Sequence, residues 1–370
     1  MKIIVAILSI YVSFFASVYA GSLPKYDHVV IVMMENHSYS QIIGYSGAPY
    51  LNNLADSGML FTASYALTHP SQPNYVDIFS GTDQGITDDN VSPNAPFTTA
   101  NFGAELIANG YTFAGYAEGL PSVGYTGATY GSYARKHCPW INWQGNGANQ
   151  ISSSLSLPYS SFPTDFAKLP TVSFVIPNLD DDMHDGTVPE GDTWSKNNLN
   201  AYANWAKNHN SLLIITWDED NDSDGNHIAT IFYGANVIKG QNGVLMNHYN
   251  ILRTIEDMYG LNAIANSSNV ASINDVWTTT GIKGTSPEKT ALDVSVIPFE
   301  NTLNIQFTGN MPAGNVNLTL LDMNGKEITQ TTFSGTGQYL FHIPACPAGC
   351  YILVASGSDF TLKRKVVIGE

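Results

Sequence analysis

Positive charge and cysteine are both scarce in this chain. Fifteen lysines and arginines stand against 31 aspartates and glutamates in 370 residues, a formal net charge of -16. So anionic a molecule repels phosphate backbones and acidic bilayers, which excludes nucleic acid and anionic membrane as partners. The same shortage leaves little to neutralise an anionic substrate, a gap that bound divalent cations would fill locally. The three cysteines, Cys138, Cys346 and Cys350, are too few for a disulfide framework. Cys346 and Cys350 are near enough in sequence to bridge in a loop, leaving Cys138 as a buried thiol. There is no internal repeat and no low-complexity tract. Past the N-terminus no apolar run is long enough to cross a bilayer, so no transmembrane anchor is expected.

The N-terminus itself reads as a secretory signal over residues 1–20. Lys2 supplies the charge, Ile3 to Ala16 the apolar stretch, and Val18-Tyr19-Ala20 a small-residue cleavage site before Gly21. The remaining chain, 44% hydrophobic overall, can build one sizeable core and a small second one. Continuous apolar runs at His28–Met34, Val172–Ile176 and Ser211–Trp217 suit buried parallel strands. Tyr111–Tyr116 and Ala229–Tyr233 add two more. Helical patterns fall at Pro49–Gly58, Ala104–Asn109, Trp194–His209 and Asn250–Tyr259, with a short helix beginning near Ser71. Strands alternating with helices predict an α/β domain, with a mainly parallel central sheet flanked by helices, over residues 22–283. Residues 284–292 read as a linker. From Asp293 to the end the pattern is short strands broken by Gly, Asn and Pro, which predicts a small C-terminal β-sandwich over 293–370.

Chemistry-bearing residues gather just after predicted strand ends, where open α/β sheets place their sites. Glu35-Asn36-His37 follows the first strand. Asp180-Asp181-Asp182-Met183-His184-Asp185 follows the run at 172–176, and Asp218-Glu219-Asp220 the run at 211–217. His248 precedes a helix. Each has a plain structural reading alone: a cap, a solvated acidic loop, a capping histidine. Together, carboxylates and imidazoles without thiolate make a hard-cation site suited to Mg, Mn, Ca, Zn or Fe. The segment Thr68-His69-Pro70-Ser71-Gln72-Pro73-Asn74-Tyr75 adds a hydroxyl at a helix entrance. Taken alone, Ser71 is a helix cap. Beside a cation site it is a nucleophile, with first-turn N–H groups positioned to hold an anion. Arg135, Lys136 and His137 are among the few cationic groups available to a phosphate.

These segments resemble a known family. HVVIVMMENHSY, THPSQPNYVDIFSG, YARKHCPW, VSFVIPNLDDDMHDG, AYANWAKNHNSLLIITWDED and NHYNILRTIEDMYG are similar in order and spacing to the secreted acid phosphatase/phospholipase C phosphoesterase family. The likeness spans residues 25–278 and is greatest to the bacterial acid phosphatase branch with its mycobacterial secreted members. That family belongs to the alkaline-phosphatase-like superfamily. Its nucleotide pyrophosphatases carry a threonine nucleophile in T-F-P-N-H-Y-T-I-V-T-G, a register that points to Ser71, with Thr68 as the alternative. The resemblance implies metal ligation by Glu35, Asn36, Asp180, His184, Asp218 and Glu219, with Glu219 where relatives have histidine. It also implies substrate contacts from Arg135, Lys136 and Asn74, and a proton donor at His184 or His248. Asp192 is a supporting residue only. The C-terminal strings VIPF, LDMNGK, PAGCYIL and LKRKVVI resemble the type A sorting domain of type IX secretion, which implies a secreted or cell-surface enzyme that meets that machinery.

The expected function is a metal-assisted acid phosphatase acting on small phosphorylated substrates, phosphoinositide or phospholipid head groups among them, through a phosphoseryl intermediate. A phospholipase C or other phosphodiesterase is the alternative. A non-catalytic protein with acidic calcium loops and a glycan-binding sandwich is a third.

Overall fold

The computed structural model describes residues 23–278, 291–297, 302–308, 315–322, 325–334, 338–357 and 361–368. Residues 1–20, the expected signal, lie outside them, as do 284–290 of the expected linker. The chain divides into two compact units, Met1–Thr280 and Gly281–Glu370.

The described residues of the first unit form eleven strands: β1 (His28–Met34), β2 (Met59–Tyr65), β3 (Phe113–Ala117), β4 (Thr129–Tyr130), β5 (Tyr133–Ala134), β6 (Ser156–Pro158), β7 (Val172–Ile176), β8 (Ser211–Trp217), β9 (His227–Gly234), β10 (Gly240–Asn242) and β11 (Met246–Asn247). Its α-helices are α1 (Tyr39–Ile42), α2 (Pro49–Ser57), α3 (Ser71–Ser80), α4 (Phe102–Ala108), α5 (Val188–Ala206) and α6 (His248–Tyr259). Nine strands form one sheet in the order β10-β2-β9-β8-β1-β7-β3-β6, with β11 also on β2. Pairing is parallel throughout except at β9, which runs antiparallel to β8 and β2. Because β9 reverses twice, β2 runs the same way as β1, β7 and β8. Their C-terminal ends therefore share one edge.

Both faces of the sheet are covered, and β1 shows how. Val29, Ile31 and Met33 face a core completed by α3, α4 and α6. Val30, Val32 and Met34 face a core completed by α2 and α5. Two buried faces explain why these strands read as unbroken apolar runs. Helix α3 is buried at all ten positions, so the segment entering at Ser71 is held on every side.

The described strands of the second unit pair antiparallel: β12 (Ala291–Ile297), β13 (Thr302–Thr308), β14 (Asn315–Asp322), β15 (Glu327–Ser334), β16 (Gln338–His342), β17 (Gly349–Ser356) and β18 (Thr361–Ile368). Sheets β12-β13-β16 and β15-β14-β17-β18 share a core of Leu303, Ile305, Val316, Leu318, Phe341 and Leu353 among others. This is a β-sandwich, and its first strand begins at Ala291, inside the span read as linker. The expected Cys346–Cys350 bridge is not formed; both are free thiols, and Cys138 is a buried one.

Candidate active site

Backbone hydrogen bonds tie three strand ends together. Glu35 N–H donates to the Asp182 carbonyl (2.9 Å) and Asp218 N–H to the Met34 carbonyl (2.9 Å). Glu35, at the end of β1, sits at the centre, fully buried. Its Oε2 accepts from Ser71 Oγ at 3.0 Å, and Ser71 Oγ also lies 3.3 Å from Glu219 Oε1. Its Oε1 accepts from Tyr75 Oη at 2.6 Å and approaches His137 Nε2 at 3.0 Å. His137, stacked on Tyr75, reaches Asp182 Oδ2 with its other nitrogen at 3.0 Å. Neither His137 Nε2 nor Asp182 Oδ2 is aligned for a hydrogen bond; the contacts are close ion pairs. His69 closes the solvent side, with Nδ1 3.0 Å from Glu219 Oε2.

Ser71 is not the cap of its helix. Pro70 holds the N-cap position, and α3 has no side-chain cap, so the hydroxyl is free to face the carboxylates. The Gln72 N–H of the first turn is taken by Asp89 Oδ1 (3.0 Å). Thr68 stands in the preceding loop with Oγ1 donating to the His69 carbonyl at 3.2 Å. Asn74 joins that loop to the cluster: Oδ1 accepts from the N–H groups of Leu67 and Thr68, and Nδ2 donates to the Thr68 carbonyl and, at 3.5 Å, to Glu219 Oε2. It fixes the approach to Ser71 and does not reach into solvent.

The loop after β7 differs from expectation. Asp180 is exposed, its carboxylate bound to Ser132 Oγ at 2.8 Å, outside the cluster. Asn178 turns the chain: Oδ1 accepts from the N–H groups of Asp180 and Asp181, and its carbonyl from those of Asp181 and Asp182. Asp182 is thereby delivered inward, where its Oδ1 accepts from His184 N–H (2.8 Å). Asn36, at φ 51°, meets the cluster through its backbone N–H, which donates to Asp218 Oδ1 at 3.1 Å. His248 is fully buried and its Nε2 bonds the Asp218 carbonyl at 2.8 Å; burial pushes it down to about 4. It braces the end of β8. Lys136 Nζ donates to Asp89 Oδ2 at 2.8 Å and lies 3.1 Å from His184 Nε2. Arg135 is buried beside it and lines a small cavity instead of the cluster. Asp192 is also remote in role: its carboxylate accepts from the N–H groups of Tyr50 and Leu51 at the start of α2.

The electrostatics follow from packing carboxylates without water. Burial raises the Glu35 carboxyl, but the close His137 charge and the hydrogen bond from Tyr75 outweigh it and hold it at about 2. Burial works against a charged His137 too, and Glu35 with Asp182 overcomes it, raising the imidazole to about 9. Burial and the Glu35 charge push Asp218 well above the carboxylate range and Glu219 to about 8. Burial takes Asp182 to about 6. Such a cluster is short of positive charge, and Asp218 Oδ2 is a buried oxygen without a partner. Glu35, His137 and His184 each offer one ligand atom, all within 4.8 Å of one another. Oxygen and imidazole donors of this kind fit a divalent cation.

Sequence reading missed Asp182, His69 and Tyr75, and treated His137 only as a cationic group near phosphate. Asn178, a turn residue ahead of the acidic run, was the available signal for Asp182. His137 ends a single 3-10 turn and His69 lies in a loop, so no helical or strand period sets the direction of either.

Residues 297–369 match the secretion system C-terminal sorting domain, which points to export through type IX secretion to the cell surface or beyond. Over 260 residues the chain is 48% identical to a phosphatidylinositol-3-phosphatase of Mycobacterium tuberculosis, covering 70% of this chain and 85% of that protein. It is 29% identical over 245 residues to an acid phosphatase of Aspergillus fumigatus, covering 62% of this chain and 54% of that protein. A solved protein in the alkaline phosphatase superfamily from Vibrio parahaemolyticus has a TM-score of 0.48 at 13% identity, over 78% of this chain and 80% of that one. The phosphoesterase family model matches residues 45–262, most of the sheet and the segments that carry Ser71, His137, Asp182 and Glu219, and the chain belongs to the phosphoesterase family.

Proposed function

We propose that this enzyme is a secreted acid phosphatase that hydrolyses phosphate monoesters through a phosphoseryl intermediate on Ser71. The observation that carries the reading is the Ser71 hydroxyl, held 3.0 Å from Glu35 and 3.3 Å from Glu219 at the mouth of a fully buried helix. Glu35, kept ionised by His137 and Tyr75, is the nearest base for the serine proton. Oxygen attack on phosphorus displaces the alcohol, and water then cleaves the phosphoseryl ester. Lys136 and the partly exposed His184 stand at the entrance, the first to meet phosphate oxygens, the second to protonate the leaving oxygen. Glu35, Asp218 and Glu219 on one side, with His137, Asp182 and His184 on the other, would hold divalent metal. Bound there, it would lower the serine pKa and neutralise phosphate oxygens. The mycobacterial relative's name adds a phosphoinositide head group to the small phosphorylated molecules worth testing. Residues 1–20 are the export signal and residues 293–370 the sorting domain in this reading.

The test is p-nitrophenyl phosphate turnover at acidic pH by wild type, Ser71→Ala and Thr68→Ala, before and after chelation and metal add-back. Ser71→Ala should lose about 10³-fold or more in kcat/KM, as nucleophile removal does, while Thr68→Ala keeps most activity. Chelation should abolish turnover and add-back restore it. A dead Thr68→Ala beside a near-normal Ser71→Ala would move the nucleophile to Thr68. Turnover that survives exhaustive chelation would remove the metal.

A further inference from the structure

Among the described residues no ion pair is formed by Arg135. The side chain is 4% exposed, and both Nε and Nη1 are buried without a hydrogen-bond partner. The ion pairs of this region run instead through Lys136, His137 and His184. The groups that interact electrostatically with Arg135 are Tyr133 and Cys138, a phenol and a thiol, both neutral near pH 7. A buried guanidinium left so is costly, and a fold keeps one where something else completes it.

The space for that partner is present. Arg135 lines a cavity of about 140 Å³ with Lys136, His184, Gln72 and Asp89, room for a few waters or one five-atom tetrahedral anion. Asp89 does not spoil it for an anion: Oδ1 accepts from Gln72 N–H and Oδ2 from Lys136 Nζ, so one lysine offsets its charge. The guanidinium then remains in excess, in a chain of net charge -16. Gln72 Oε1 is a second buried atom without a partner, suited to the P–OH of a hydrogen phosphate. Gln72 follows Ser71 directly, so the cavity lies next to the nucleophile.

We propose that this cavity is a second phosphate site, separate from the position over Ser71, in which the planar Arg135 fork takes a phosphate group while Lys136 stays paired with Asp89. The phosphate is either the second one of a doubly phosphorylated substrate or free inorganic phosphate. Only the first of these rests on the catalytic reading above.

Calorimetric titration of the full chain with inorganic phosphate tests the site without relying on turnover. Wild type should show a binding event that Arg135→Met removes. Val91, 45% exposed on the cavity wall, provides a second variant in which folding is not at risk. Val91→Glu places a carboxylate beside Arg135 and should weaken the same event about ten-fold or more. Phosphate binding unchanged in both variants overturns the proposal. The source is settled by kcat/KM for an inositol bisphosphate against the matching monophosphate. A preference of about ten-fold that Arg135→Met abolishes identifies substrate phosphate, and no preference identifies free phosphate. A wild type inactive on p-nitrophenyl phosphate would sink the catalytic reading while leaving the calorimetric result standing.

Discussion

At the end of β7 two aspartates are candidates for one role, and the backbone turns them in different directions. The Asp180/His184 spacing matches the family's metal pair, yet the Asn178 turn points Asp180 at Ser132 and Asp182 at His137. Asp182→Asn should therefore lower kcat/KM by about 10²-fold or more, because it unpairs a buried imidazolium and removes an inward oxygen. Asp180→Asn should stay within about two-fold, the usual tolerance of an exposed position. Steady-state kinetics of the two variants decides it, and the reverse ranking would return the role to Asp180. Residues at strand ends were legible in the sequence for a plain reason: a buried strand exhausts its apolar run where it leaves the sheet, so Glu35, Asp218 and Glu219 stand out. Asp182 was not, because its direction is set by a turn and not by a period. Ser71 was legible as a hydroxyl at a helix entrance, and the structure removes the capping role that first explained it, since Pro70 occupies the cap.

Among the elements, legibility followed burial. β1, β7 and β8 have the residue bounds that their apolar runs gave. β2 went unread: MLFTASY carries polar residues where the strand borders the loop to Ser71, and its pairing with β9 is long-range and bulged. Helix α5 begins at Val188, six residues before its apolar period starts, because Thr187 and Glu190 form a capping box. Helix α6 carries an internal acid with a measurable consequence. Burial raises Glu256 to about 7, although Ser267 Oγ and Ile264 N–H donate to it. Its unfolded value is about 4.3, so the stability it contributes is full below that pH and is lost as pH rises through about 7. Asp77, bonded by Tyr249 Oη and raised by burial to about 7, has the same sign. The melting temperature should fall from about pH 5 to pH 8, and Glu256→Gln should flatten part of that fall. Calorimetry across this range checks it; an unchanged slope in Glu256→Gln would assign the effect elsewhere.

The whole molecule divides its labour between two kinds of sheet. Every residue of the cluster lies between Glu35 and His248, on loops leaving one edge of a mainly parallel sheet whose two cores are closed by its own helices. The seven antiparallel strands of the second unit close a separate core, with Leu303, Val316, Leu353 and Val366 among its members. Among the described residues, each core is built from side chains of its own unit, which is the condition for independent folding. The described apolar residues packed with the Ser71 helix all precede residue 280. A chain ending at Thr280 should keep kcat/KM on p-nitrophenyl phosphate within about two-fold of the full chain and melt in one cooperative transition. Expressed in a cell that uses type IX secretion, it should accumulate inside, because the matched sorting segment at 297–369 is gone. Activity lost in a truncated chain that still melts cooperatively would show that the sandwich shapes the active site as well as the route of export. Activity kept and export lost would assign the two units to separate tasks, chemistry and address.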